Sequence, residues 1–312
     1  MLDKRLNTPI LLIGFNRPDL MKGAIDRLRV VKPTKLYVGI DGARNEVENM
    51  VVDEVKELIK AVDWECEVKT NFQKSNLGCK NGPLAAINWF FECEEMGIIL
   101  EDDIEAEESF FRYCQELLIK YKNDERMGTI SGDNYTEITD ENSSYMLSRY
   151  SQTWGWATWK RVWVKYDDQI SNWPKDKETG WLNKLFDNRW VVIYWTLIFE
   201  AVYNKEIKTA WDYQWTYMSW KNNLWTIIPS KNLVTNVGIG IDGATHTKLK
   251  SKLYQFPKYK MGLPLVHPKS LKINTELDKY IQKNNYVLWK EVVMNLVRKW
   301  RAINSKRCSA VN

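Results

Sequence analysis

Residues 97–111 read GIILEDDIEAEESFF, so Glu101, Asp102 and Asp103 stand directly behind the apolar run Ile98-Ile99-Leu100. Anions crowded at the end of a buried strand repel one another more than in water, because the local dielectric falls and desolvation costs more. A cation or a set of hydrogen-bond donors has to answer them. Such oxygen ligands suit a hard divalent ion, Mn2+ or Mg2+, held by one or two carboxylates plus substrate phosphates. In an extended segment Glu101 and Asp103 project to one side and Asp102 to the other. An acidic run ahead of a helix also complements the helix dipole, and Glu105, Glu107 and Glu108 are read that way.

A second carboxylate with chemistry open to it is Asp212, between Trp211 and Trp215 at the start of the helical stretch AWDYQWTYMSW. It is either a general base or an ordinary carboxylate in a first helical turn. His246, in the glycine-punctuated NVGIGIDGATHT, is a candidate second metal ligand or phosphate contact; a surface-loop histidine is the alternative. His267 and Asp242 are read as incidental and as a turn residue. In NLGCKNG (76–82), Asn76 and Lys80 could meet a nucleotide and its phosphate, and Cys79 has no histidine near it in sequence to make it a nucleophile.

The elements that must position these residues alternate. PILLIGF (9–15), KLYVGID (35–41), CEVKT (66–70), GIIL (97–100) and MGTISG (127–132) read as strands. Between them lie helical patterns: one opened by Pro18, one over 46–62 with Val47, Val51, Val55, Ile59 and Val62 on one side, one over 83–92, and one over 108–121. This alternation predicts βαβ units and a mostly parallel sheet, whose ligands bind beyond the carboxyl ends of the strands. Arg17, Asp41 and the 101–103 carboxylates all follow strand ends, so they should face one crevice. The second half changes character: twelve of sixteen tryptophans fall between Trp154 and Trp225, which predicts packing on aromatic bulk.

On these motifs the chain resembles the nucleotide-sugar glycosyltransferases of the GT-A fold, and is most similar to the N-acetylglucosaminyltransferase I type, whose acidic motif is E-D-D. LEDDIEAEESFFRYCQELL resembles that motif and the helix after it. PILLIGFNRPDL resembles the first strand with its arginine-bearing loop, VGIDGA the second strand, and AWDYQWTYMSW with the later IIPSKNLVTNVG a downstream helix and strand. The likeness runs in order over roughly residues 8–247. It implies an α/β, GT-A-like Rossmann-type mixed sheet flanked by helices, and transfer of a sugar from a nucleotide diphosphate sugar, with uracil the implied base and inversion the implied outcome.

By resemblance, Asp103 would ligate the metal, Glu101 and Asp102 would contact sugar and ribose hydroxyls, Arg17 would lie near the phosphates, Asp41 would read the base, and Asp212 would be the catalytic base. SQTWGWATWKRVW (151–163) resembles a loop that positions sugar and acceptor, which makes Trp154, Gly155, Trp156 and Trp211 candidate sugar contacts; core packing is the competing reading. A metal-dependent nucleotidyltransferase and a non-catalytic nucleotide-sugar or glycan-binding module are the alternatives. The first should carry a glycine-rich, lysine-bearing signature near the first strand, which GFNRPDL lacks.

Composition sets the frame. The 312 residues suffice for one large or two modest domains, and the likeness divides them into a nucleotide-sugar half (1–135), an acceptor half (136–247) and a basic extension (248–312). The net charge of +5 hides an asymmetry, because the segment from Lys248 onward holds 15 Lys/Arg against 3 Asp/Glu. Within it, YVLWKEVVMNLVRKWRAI (286–303) is a basic amphipathic pattern that either lies on an anionic membrane surface or docks on the catalytic domain. No motif points to nucleic acid. Five scattered cysteines with no C-x-x-C pair suit a reducing compartment, and no run approaches the ~18 apolar residues of a membrane span. The N-terminus lacks a signal-peptide pattern, so the expected location is cytoplasmic or peripheral on the inner membrane face.

Overall fold

The computed structural model describes residues 5–238 and 256–286, with positions 292, 294, 295 and 298 beyond them. His246, Asp242 and most of the 286–303 pattern lie outside the described residues.

The chain starts as βα repeats. Strand β1 (Ile10–Gly14) is followed by α1 (Pro18–Val31), β2 (Lys35–Ile40), α2 (Glu46–Leu58), β3 (Glu67–Phe72), α3 (Gly78–Cys93) and β4 (Met96–Glu101). After a turn at Asp102-Asp103 come the short β5 (Ile104–Ala106), α4 (Glu108–Lys120) and β6 (Met127–Ser131). The later part runs through β7 (Tyr145–Ser148), β8 (Trp156–Trp159), α5 (Lys160–Trp163), α6 (Trp173–Glu178) and α7 (Trp181–Leu185). It continues with α8 (Arg189–Tyr203), α9 (Asp212–Lys221), β9 (Trp225–Pro229), β10 (Val234–Asn236) and α10 (Thr275–Asn285).

Eight strands form one sheet in the order β3-β2-β1-β4-β8-β6-β9-β7. The pairings β3/β2, β2/β1, β1/β4 and β6/β9 are parallel; β8 is inserted antiparallel between β4 and β6, and β7 closes the edge antiparallel to β9. This is the expected mixed, mostly parallel Rossmann-type α/β sheet. β1 is buried along its whole length, as a central parallel strand covered on both faces must be. A two-stranded ribbon, β10 antiparallel to β5, stands beside the main sheet.

Two local expectations change. The predicted apolar face of α2 is rotated: Val47 is exposed, and the buried line runs through Glu48, Val52 and Val55 to Ile59. The reason is Glu48, whose carboxylate accepts from the Asn16 amide at 2.7 Å and the Arg44 backbone N–H at 2.7 Å, fixing that side of the helix inward. Helix α3 begins at Gly78 rather than near Pro83, because its first amides are capped by a residue distant in sequence, Asp41. Glu105 likewise does more than complement a dipole. It lies in β5 and bridges Arg27 at 3.1 Å and Lys258 at 2.9 Å, whereas Glu107 caps α4 through the Ser109 amide at 2.7 Å.

The main core lies around the parallel strands. A second cluster, around Tyr150, Trp173, Trp195, Phe199, Tyr217 and Trp220, fills the Trp-rich half, as its composition predicts. Residues after 255 fold back onto both: Met261 and Leu265 enter the main core, and Leu277 and Ile281 of α10 enter the aromatic one. No helix among the described residues is long and apolar enough to cross a membrane.

Candidate active site

The carboxylates behind β4 are answered by Arg17. Its guanidinium donates through Nε to Asp102 Oδ2 at 3.3 Å, through Nη2 to Asp102 Oδ1, and through Nη1 to Asp103 Oδ2 at 2.9 Å. The expected alternation of sides fails here. Residues 102 and 103 make a turn instead of continuing the strand, so both carboxylates meet one cation. Asp102 is completely buried and serves Arg17; Asp103 is at the rim and only 9% exposed. Burial pushes the Asp102 carboxyl up from its ordinary range while Arg17 pulls it back. Glu101 is pushed up by desolvation and by the charges of Asp103 and Asp102, with Asp212 adding to the same effect.

One carboxylate oxygen of Asp103, the buried Oδ1, is left without a hydrogen-bond partner, while the Asp103 backbone carbonyl accepts from the Val237 amide at 2.8 Å. The backbone of Gly238 passes so close that a Cβ there would fall 2.5 Å from Asp103 Oδ2. An orphaned buried carboxylate oxygen is the donor a hard divalent cation takes. Among the described residues no group of three or more His, Cys, Asp or Glu side chains converges on a metal position. Asp103 Oδ1 would be one ligand of such a cation, and no cluster of protein ligands completes a site around it among the described residues.

Asp41 ends β2 and ties two loops together. Its carboxylate accepts from the Gly42 amide at 2.8 Å, the Asn76 side chain at 3.1 Å, and the Leu77 and Gly78 amides at 2.9 and 3.0 Å. Four donors fill its acceptor capacity, so contact with a base edge would require one of them to leave. Asn76 also donates to the Gly42 carbonyl at 2.8 Å. Lys80 does not stand free for a phosphate: its ammonium lies 2.6 Å from Asp168 Oδ1.

Asp212 is the first residue of α9 and is exposed at the helix N-terminus. Its charge adds to the upward push on the Tyr166 hydroxyl, after burial and Asp168, and in smaller measure to that on Glu101. The aromatic candidates divide. Trp156 is 2% exposed, stacks on Trp211 at 5.8 Å and meets Trp215 edge-on at 5.2 Å. Trp156 and Trp211 are core residues, because a ring closed on both faces has none left for a sugar. Trp154 is only half-buried, edge-on to Tyr135 at 5.0 Å. Gly155 has φ +63°, and its carbonyl accepts from Gly132 N–H at 2.7 Å. His267 lies elsewhere, between Tyr145 at 3.0 Å and Glu116 at 3.2 Å.

Sequence reasoning passed over two neighbours of this site. Asp133 follows β6 as Asp41 follows β2, so the strand-end rule could have found it. It is buried, bonded to the Ser131 hydroxyl, and its carboxyl is pushed up to about 7 by burial. Asp168, the partner of Lys80, sits in a loop with no motif around it and left no signal in the sequence.

No protein-family model matches this sequence, and no curated protein does. Among solved structures the fold is similar to a mannosyltransferase from Pyrobaculum calidifontis in complex with GDP-Man and Mn2+. That match has 11% identity and a TM-score of 0.35, over 50% of this chain and 46% of that one. A UDP-glucose pyrophosphorylase complexed with UDP-glucose matches with 9% identity and a TM-score of 0.31, over 51% of this chain and 79% of that one. The chain thus spans about half the length of the mannosyltransferase structure. Likeness at this level assigns no activity.

Proposed function

We propose that this chain transfers a sugar from a nucleotide diphosphate sugar, with UDP the first donor nucleotide to test, to a hydroxyl of a glycan or lipid-linked acceptor. The observation that carries the reading is the cluster at the carboxyl end of β4, where Arg17 pairs with Asp102 and Asp103 while Asp103 Oδ1 is buried with no hydrogen-bond partner. Asp212, at the start of α9, supplies in this reading a second carboxylate from the other half of the chain. In this reading residues 1–247 form the catalytic unit.

Arg17, held by Asp102, presents positive charge where the leaving diphosphate would sit. A divalent cation bound at Asp103 Oδ1 would supply further neutralisation of that leaving group. Asp212 takes the proton of the acceptor hydroxyl as its oxygen bonds to the anomeric carbon and the bond to the diphosphate breaks, a single displacement that inverts the centre. Glu101 faces the sugar hydroxyls, and the half-buried Trp154 offers the remaining aromatic surface.

The test is a panel of UDP-, GDP- and dTDP-sugars assayed for Mn2+-dependent hydrolysis, which needs no acceptor. Release of nucleoside diphosphate from one nucleotide class is expected. A panel with neither turnover nor Mn2+-dependent binding by calorimetry overturns the reading.

A further inference from the structure

Helix α9 carries Asp212 in its first turn, yet its N-cap residue, Trp211, makes no side-chain cap hydrogen bond. Two residues from the other half of the molecule, Cys79 and Lys80, reach its surroundings. Lys80, in the first turn of α3, places its ammonium 2.6 Å from Asp168 Oδ1. The buried Gln214 amide, oriented so that both ends are paired, accepts from Lys80 Nζ at 3.1 Å and donates to the Trp211 carbonyl at 3.3 Å. That carbonyl also accepts from the Tyr166 hydroxyl at 3.2 Å. One residue before Lys80, Cys79 Sγ meets the Thr209 carbonyl at 3.5 Å.

The first turn of α3 is itself held by Asp41 through the Leu77 and Gly78 amides. A continuous path of hydrogen bonds and one ion pair therefore runs from the end of β2 to the first turn of α9. The Lys80 side chain is 15% exposed, so its ion pair is less screened than a surface pair.

We propose that Lys80, Asp168 and Gln214 are positioning residues that fix the first turn of α9, and with it the Asp212 carboxylate, against the donor side of the crevice. The inference rests on the glycosyl-transfer reading for its catalytic consequence, but not for its structural one. It gives Lys80 a role distinct from a phosphate contact: loss of the lysine should misplace the base and leave donor affinity alone.

The experiment compares Lys80→Met, Asp168→Asn and Lys80→Arg in two measurements. In donor hydrolysis with Mn2+, Lys80→Met should lower kcat about 10- to 100-fold, the scale of an ångström-sized misplacement, with donor KM unchanged. Lys80→Arg should restore most of the rate, and adding Asp168→Asn to Lys80→Met should cost little more. A raised donor KM with intact kcat makes Lys80 a phosphate ligand and overturns the inference. The second measurement is hydrogen exchange of the peptide spanning 209–216, which should speed up in Lys80→Met. Unchanged protection there overturns the inference whether or not the protein turns over a sugar nucleotide. Absence of turnover in the unmutated protein counts only against the glycosyl-transfer reading.

Discussion

Arg17 and Asp102 form a two-point ion pair under the carboxyl edge of the sheet, joining the start of α1 to the turn after β4 across 85 residues of sequence. Asp102 is wholly buried and its partner side chain is 22% exposed, so the pair is protected from solvent on the carboxylate side. Removing the cation would strand a buried anion next to two others. Arg17→Met should therefore destabilise the fold by about 3 kcal/mol, the lower end for breaking a buried pair, since Asp102 can respond by taking up a proton. Urea denaturation of Arg17→Met, Asp102→Asn and the double variant checks this: the double should be more stable than the sum of the singles predicts.

Asp212→Asn keeps the shape of the side chain and removes its basicity. Transfer should fall by ~10²–10⁴, the usual contribution of a general base. Binding of the nucleotide sugar should stay within a few-fold when measured by calorimetry. Near-normal turnover in this variant would remove Asp212 from the mechanism.

Asp103→Ala deletes the orphaned carboxylate oxygen and one contact of Arg17. Donor binding measured with Mn2+ should weaken to the level seen with chelator, while binding without metal should change little. Equal loss in both conditions would mean that Asp103 acts through Arg17 alone.

Trp156 and Trp154 should separate packing from ligand contact. Trp156→Ala opens a cavity between Trp211 and Trp215 and should cost about 3–5 kcal/mol in denaturant unfolding. Trp154→Ala, at a half-buried ring, should cost less stability and act on the KM of donor or acceptor instead.

Asp278 gives a pH signature. It accepts from the Ser148 hydroxyl at 2.6 Å and the Arg149 amide at 3.1 Å, and burial pushes its carboxyl up to about 6. Between the ordinary carboxylate range and about pH 6 the folded chain holds a proton that the unfolded chain has released. The stabilisation from this group is thus complete below its unfolded pKa and is lost as pH rises through about 6. Urea midpoints at pH 4.5 and 7 should show a smaller difference between the two pH values in Asp278→Asn, once other carboxylates are cancelled by subtraction from the unmutated protein. An unchanged difference would place the titration elsewhere.

Much of the scaffold was legible because strand and helix periods are local properties. The apolar runs at 9–15, 35–41 and 97–100 became β1, β2 and β4, and the rule that ligands meet strand ends drew attention to Arg17, Asp41 and Asp103. Where a distant side chain intervened, the local reading failed. Glu48 turned α2 through its bonds to Asn16 and Arg44, and Asp41 drew the start of α3 forward to Gly78. The aromatic stretch was ambiguous for a different reason: a tryptophan that stacks on sugar and one that stacks on another tryptophan have the same sequence environment.

By itself the sequence determined which groups could do chemistry: three carboxylates behind a buried strand, an arginine behind another, and a lone aspartate at a downstream helix start. Their charges, their order and the parallel pattern of strands are written in one dimension. Only the tertiary structure decided who pairs with whom. Arg17 rather than solvent answers Asp102, four donors occupy Asp41, and Lys80 turns away to Asp168. These choices depend on separations of 35 to 130 residues closing to hydrogen-bond length, as from Asp41 to Asn76 or from Cys79 to Thr209. Such closure is fixed by packing of the whole chain and by no property of the segments taken singly.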